Sequence, residues 1–141
     1  MGSMILEHVD EIIEKRKRIN AIYREKLNEI PGIYLRPELP KNVSYNYAYI
    51  PIEVNEKEFG MSRDQLYNEL KEYNLYSRRY FYPLICDYAC YKSLAVKDPL
   101  IIARRAAERI LTLPIYYDLS LEDVERICDI INEIKSKKAA H

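Results

Sequence analysis

Apolar residues recur along the start of the chain at Ile5, Val9, Ile12, Ile19, Tyr23, Leu27 and Ile30, in steps of three, four and seven with charged residues between them. That spacing predicts an amphipathic helix, closed by Pro31-Gly32. A helix of about 25 residues would be about 37 Å long, more than one face of a small domain needs. Beyond the turn the period changes to two. Ile33-Tyr34-Leu35 reads as a short strand, and Val43 to Val54 as a longer one alternating through Tyr45, Tyr47 and Tyr49 and then Ile50, Ile52 and Val54. Pro51 predicts that this strand lies at an edge or carries a bulge. Ser62-Arg-Asp-Gln65 has capping-box spacing, and Leu66, Leu70 and Tyr73 share a face, so a helix is expected from Arg63 to Tyr73. A strand from Leu75 to Tyr80 follows. Asp98 before Pro99 predicts an N-cap and first helical position, leading a narrow stripe of Leu100, Ala103, Ala107 and Ile110. Leu111-Thr-Leu113 is a strand stopped by Pro114. Ser120-Leu-Glu-Asp123 then caps a last helix that turns Val124, Ile127, Cys128, Ile131 and Ile134 to a core and ends in Lys135, Lys137 and Lys138. Helix, two strands, helix, strand, helix, strand, helix predicts an α+β fold, a small mostly antiparallel sheet covered by helices.

Composition narrows the function classes. At 141 residues the chain suits one domain. Lys plus Arg number 22 and Asp plus Glu 22, so no net field draws a polyanion, and a nucleic-acid partner is not expected. Phosphate recognition would have to be local. Tyr stands out at 14, against 2 Phe and no Trp, giving apolar area with polar tips that suits partly wet interfaces. Cys86, Cys90 and Cys128 match no metal spacing. Cys86 and Cys90 could share a helix face, but His8 and His141 are the only histidines, so the thiols read as inert and no metal is expected. With no apolar run of about 20 residues and no signal peptide, a soluble cytoplasmic protein is expected, without a membrane partner. The N-x-S match at Asn42-Val-Ser44 is then chance. Met1-Gly2-Ser3 reads as a vector remnant, residues 4–138 as the domain and residues 139–141 as a disordered tail.

The chemistry concentrates in Tyr76-Ser-Arg-Arg-Tyr-Phe-Tyr-Pro-Leu84. Guanidinium forks suit phosphate or carboxylate, and aromatic rings suit the faces of bases and sugars. The pattern points to a phosphorylated, ring-bearing ligand. It fits equally the two faces of a half-buried strand with solvated arginines at its end. Arg104 and Arg105, within a helix, read as solvated.

Leu6 to Tyr23, Ser62-Arg-Asp64, Ser77-Arg-Arg-Tyr-Phe-Tyr-Pro-Leu84, Ile110-Leu-Thr-Leu-Pro-Ile-Tyr116 and Leu119-Ser-Leu-Glu-Asp-Val124, in this order, resemble the C-terminal part of the DegT/DnrJ/EryC1/StrS aminotransferases, nearest the branch acting on dTDP-3-keto-6-deoxyhexoses. The resemblance implies the C-terminal domain of a fold-type-I enzyme that uses pyridoxal 5'-phosphate to move an amino group from glutamate to a keto-sugar nucleotide, as a homodimer with sites between subunits. It places the Schiff-base lysine, the aspartate on the pyridinium nitrogen and the phosphate-binding hydroxyls in a large domain upstream of the opening helix. No catalytic or cofactor-binding residue, and no bound cofactor, is then expected in this chain; Lys92 reads as a surface residue. The part implied for it is to close over the sugar nucleotide through Arg78, Arg79, Tyr80 and Phe81, with Tyr47 a further candidate. Many relatives carry a histidine at the position of Tyr80; the substitution leaves a hydrogen-bonding ring but removes an imidazole, the group that titrates near neutral pH. The competing reading is a stand-alone α+β binding or regulatory module without catalysis. A fragment is expected to expose the Ile5 to Tyr23 stripe and self-associate through it, whereas an evolved module would cover it.

Overall fold

Helix α1 runs over Val9–Leu27 in the computed structural model, which describes residues 7–40, 42–91 and 98–139. It is shorter than the periodicity suggested, because Asn28 to Ile30 turn off the helix, with Ile30 N donating to the Leu27 carbonyl. Ile5, the first three residues, Lys92 and the last two residues lie outside the described residues. The expected stripe splits in two. Ile19, Tyr23 and Leu27 are fully buried, while Val9, Ile12 and Ile13 are half-buried, which corrects the expectation that the whole stripe lies open.

Strand β1 (Ile33–Leu35), β2 (Ile50–Val54), β3 (Arg78–Arg79) and β4 (Ile110–Leu113) form one antiparallel sheet in the order β1-β2-β4-β3. Register puts Ile33 against Val54, Leu35 and Leu111 against Ile52, and Leu113 against Ile50, so one face is continuously apolar. Helices cover that face. These are α1, α3 (Arg63–Glu72) and α5 (Leu121–Ala139), which deliver Leu66, Leu70, Val124 and Ile131 to the same core. Pro51 is not on an edge strand, since β2 pairs on both sides. The β1 ladder nevertheless stops at Leu35 opposite Ile52, so at Pro51 only β4 is alongside, and the proline sits where one flank has no ladder to join.

Two caps match their sequence signatures. Ser62 Oγ accepts from Gln65 N at 3.3 Å while Gln65 Oε1 accepts from Ser62 N at 2.8 Å, and Ser120 Oγ accepts from Asp123 N at 3.0 Å. The short helix α2 (Glu56–Phe59) was not expected; Asn55 caps it and Gly60, at φ +90°, ends it. Gly32 has φ +87° and touches α2: a Cβ there would overlap Phe59 N and come 2.7 Å from Phe59 Cα. The turn therefore needs glycine both for its left-handed backbone and for the close approach. Asp98 does not cap α4 (Ile101–Arg109). Its Oδ1 accepts from Leu100 N at 2.8 Å, and Leu100, at φ +52°, occupies the N-cap position instead.

Candidate functional site

The strand expected from Leu75 to Tyr80 shortens to Arg78–Arg79 because of how α3 ends. Asn74 takes φ +56°, and Leu75 N reaches back to the Leu70 carbonyl at 3.0 Å, consuming as a helix terminus residues that would otherwise extend the strand. Thr112 Oγ1 donates to the Arg78 carbonyl at 3.2 Å. Pairing with β4 then sends the two arginines to opposite faces. Arg78, opposite Thr112, is exposed; Arg79, opposite Leu111, turns to the helix side and is half-buried. There its guanidinium lies 4.6 Å from the Tyr67 ring and 5.1 Å from the Tyr82 ring, close enough for cation–π attraction. Its Nε is 2.9 Å from Asp64 Oδ1.

Past Arg79 the chain leaves the sheet. Tyr80 packs its ring 4.3 Å from Phe81 and 5.6 Å from Tyr49, and Phe81 adopts φ +48° with 73% of its surface exposed. A positive φ is rare for a bulky side chain and holds the ring away from the core. The strand end, the 3-10 turn Ile85–Asp87 and α4 enclose a cleft of about 940 Å³, within the usual range for a small-molecule site. Arg79, Tyr80, Phe81 and Tyr82 line one wall, and the small Ala103 and Ala107 leave room on the other. Among the described lining residues Arg79 is the one charged side chain, with no lysine, histidine or carboxylate. Such a lining can hold a ring that bears an anion.

Arg79, Tyr80 and Phe81 thus line one cleft, and Arg78 and Tyr47 do not join them. The long strand predicted from Val43 begins only at Ile50, since Asn46 Oδ1 accepts from Ala48 N at 3.1 Å and Tyr47 takes φ +49°, forming a turn. Tyr47 packs edge-on against Tyr45 at 4.9 Å. Tyr82, Tyr67, Asp64 and the buried Arg63 were not singled out; the Tyr82 ring sat in the same aromatic run, but no sequence signal reports a buried arginine. Arg104 is not simply solvated, since its Nη1 pairs with Asp87 Oδ1 at 3.1 Å. Cys86 lies in the 3-10 turn and Cys90 in the turn beyond it, so no helix face joins them. Among the described residues no cluster of His, Cys, Asp and Glu could hold a metal, and no helix is long and apolar enough to cross a membrane.

Residues 1–132 match the model of the DegT/DnrJ/EryC1/StrS aminotransferase family. This chain belongs to that family. Over 132 residues, 92% of the chain, it is 43% identical to a dTDP-4-amino-4,6-dideoxy-D-glucose transaminase of Escherichia coli, and it is 39% identical over 95% of the chain to the Shigella dysenteriae protein of the same name. It spans 35% and 36% of those relatives' lengths. Among solved structures it resembles DesI, crystallised in the presence of its TDP-sugar product, with a TM-score of 0.86, 28% identity and coverage of 100% of this chain and 36% of that one. TlmJ from Streptoalloteichus hindustanus, an aminotransferase, gives 0.84 and 25%, covering 96% of this chain and 35% of its own. The α+β domain described above is therefore an aminotransferase-family domain, and membership favours that reading over a stand-alone module.

Proposed function

We propose that this chain is the C-terminal, substrate-shaping part of an enzyme that transfers an amino group from glutamate to a keto-deoxysugar nucleotide, in the synthesis of deoxyamino sugars. The observation that carries the reading is the cleft wall, where a single held guanidinium stands beside the rings of Tyr80, Phe81 and Tyr82. That combination suits a sugar ring bearing a diphosphate. Both relatives' names carry a dTDP-linked 4-amino sugar, which draws the aminated carbon to C4 rather than to the C3 of the 3-keto branch. Arg79, Tyr80 and Phe81 are the substrate contacts; Arg78 and Tyr47 are secondary candidates that would act only from a neighbouring surface.

Pyridoxal 5'-phosphate supplies the electron sink for such a transfer when bound in the full-length enzyme. The described residues here do not fit as its seat, for the cleft offers no lysine for the cofactor's aldehyde and no carboxylate for its ring nitrogen. The full-length enzyme is proposed to work as a homodimer, with the half-buried Val9, Ile12 and Ile13 of α1 as one contact. In a full-length enzyme carrying this chain, Arg79→Ala should raise the Michaelis constant for the dTDP-keto sugar at least tenfold and change turnover less. If both constants stay as they were, the substrate role of the cleft is wrong.

A further inference from the structure

Arg63 opens α3 from inside the protein, with 2% of its surface exposed. Sealing a guanidinium from water is costly, and an apolar side chain of similar volume would avoid that cost. Packing does not account for it. Its Nε donates to Asp64 Oδ1 and its Nη1 to the Ile110 carbonyl, each at 2.8 Å, tying the first turn of α3 to the start of β4. The same Asp64 oxygen lies 2.9 Å from Arg79 Nε. That second N–H is not aligned on any acceptor, so the contact is charge attraction rather than a directed bond. The Tyr82 ring spans the pair, 4.9 Å from Arg63 and 5.1 Å from Arg79. The Tyr67 ring adds a contact to Arg79 at 4.6 Å and holds Lys71 at 4.1 Å. Two guanidiniums thus share one carboxylate where the cleft ends.

We infer that Arg63 and Asp64 are positioning residues: they anchor the Arg79 guanidinium against Tyr67 and Tyr82 so that its terminal nitrogens meet the diphosphate of a sugar nucleotide in the cleft. The inference rests on the reading of Arg79 as the anion-binding group. An arginine ordered beforehand loses little freedom when the ligand arrives. Asp64 thus serves affinity without meeting the ligand.

Side-chain NMR of the ¹⁵N-arginine-labelled full chain tests this, with Arg79→Ala identifying the Arg79 Nε–Hε signal. In Asp64→Asn that signal should become mobile, its heteronuclear NOE falling to that of an exposed arginine, while the backbone amides of β4 keep their positions. Asp64→Glu should restore part of the order, and Arg63→Lys, which cannot span both partners, should lose it. Ser62→Ala disturbs the same helical turn without touching the pair and should leave Arg79 ordered. The inference is overturned if Arg79 is equally mobile in the unmodified chain and Asp64→Asn, or if Ser62→Ala releases it as fully. Titration with dTDP reads the ligand separately. It should move the Arg79 signal and bind about tenfold more weakly to Asp64→Asn. If Asp64→Asn frees Arg79 yet dTDP moves nothing, the positioning stands and the sugar-nucleotide reading fails.

Discussion

Replacing Gly32 by alanine tests the tightest joint in the fold, and Gly60 supplies its control. Both glycines have left-handed backbones, at φ +87° and +90°, and an L-residue there costs about 1–2 kcal/mol. Their surroundings differ. At Gly60 the nearest atom to an added Cβ is Lys138 Cβ at 3.8 Å, an ordinary contact, whereas at Gly32 the methyl would overlap the backbone of Phe59. That backbone cannot retreat cheaply. Phe59 N donates to the Asn55 carbonyl and Asn55 N to the Gly32 carbonyl, each at 2.8 Å, and the Phe59 ring is fully buried. Overpacking of a fixed site adds about 1–3 kcal/mol, so Gly32→Ala should cost about 2–5 kcal/mol in total and Gly60→Ala about 1–2. With a urea dependence of about 2 kcal/mol per molar, the unfolding midpoint should fall by about 1–2.5 M in the first and about 0.5–1 M in the second. Circular dichroism through a urea series measures both. Equal shifts would refute the steric half of the argument, leaving only the backbone half.

Cys128 should make the fold sensitive to alkali. Burial, the largest cause, pushes its thiol up to about 12; Lys26 pulls it down and Asp129 and Glu125 push it up. The unfolded chain releases this proton near pH 8.5, so from there to about 12 the unfolded state binds fewer protons and stability falls as pH rises. Burial also pushes the Tyr23 phenol up, which adds to the fall once pH passes about 10. Urea midpoints at pH 7 and pH 10 check the sign, and Cys128→Ala should flatten the earlier part of the slope. Ser62→Ala removes one side of a capping box and should cost about 1 kcal/mol by the same unfolding assay. Thiol labelling at pH 8 should modify the exposed Cys90 at once and spare the buried Cys128 until the chain unfolds; prompt labelling of Cys128 would mean that its pocket opens readily.

Much that depended on near neighbours was legible in the sequence, although the Asn55 cap of α2 was missed and the Asp98 cap expected for α4 is not made. The Ser62 and Ser120 caps, the helices they open and the apolar face of α5 all follow from residues within a turn or two of each other. Predicted strands ran too long wherever a single residue took a left-handed backbone, as Tyr47 and Asn74 do, because neither side chain announces that conformation as glycine does. The aromatic run from Tyr80 to Tyr82 could be recognised by residue type. Its division could not: Arg78 and Arg79 are adjacent in sequence, yet pairing with β4 gives them opposite faces. Arg63 looked like any charged residue in a first helical turn. Its burial depends on Ile110, far along the chain, offering a carbonyl, and only the closed fold brings the two together.

The first helix lies against the last, and the Tyr23 hydroxyl donates to the Pro114 carbonyl at 3.1 Å across the same core. Strand β2 likewise waits for β4, whose residues 110–113 follow it only after α2, α3, β3 and α4. On the ribosome, this region therefore has little to settle into until its closing helix emerges, and its early segments stay apolar and unmatched for most of the time they are being made. Any damage that removes α5, such as a premature stop or a protease cut near Ser120, would undo the packing of α1 rather than merely shorten the protein. The two ends succeed or fail together, which makes loss of the C-terminal helix a lesion of the whole fold.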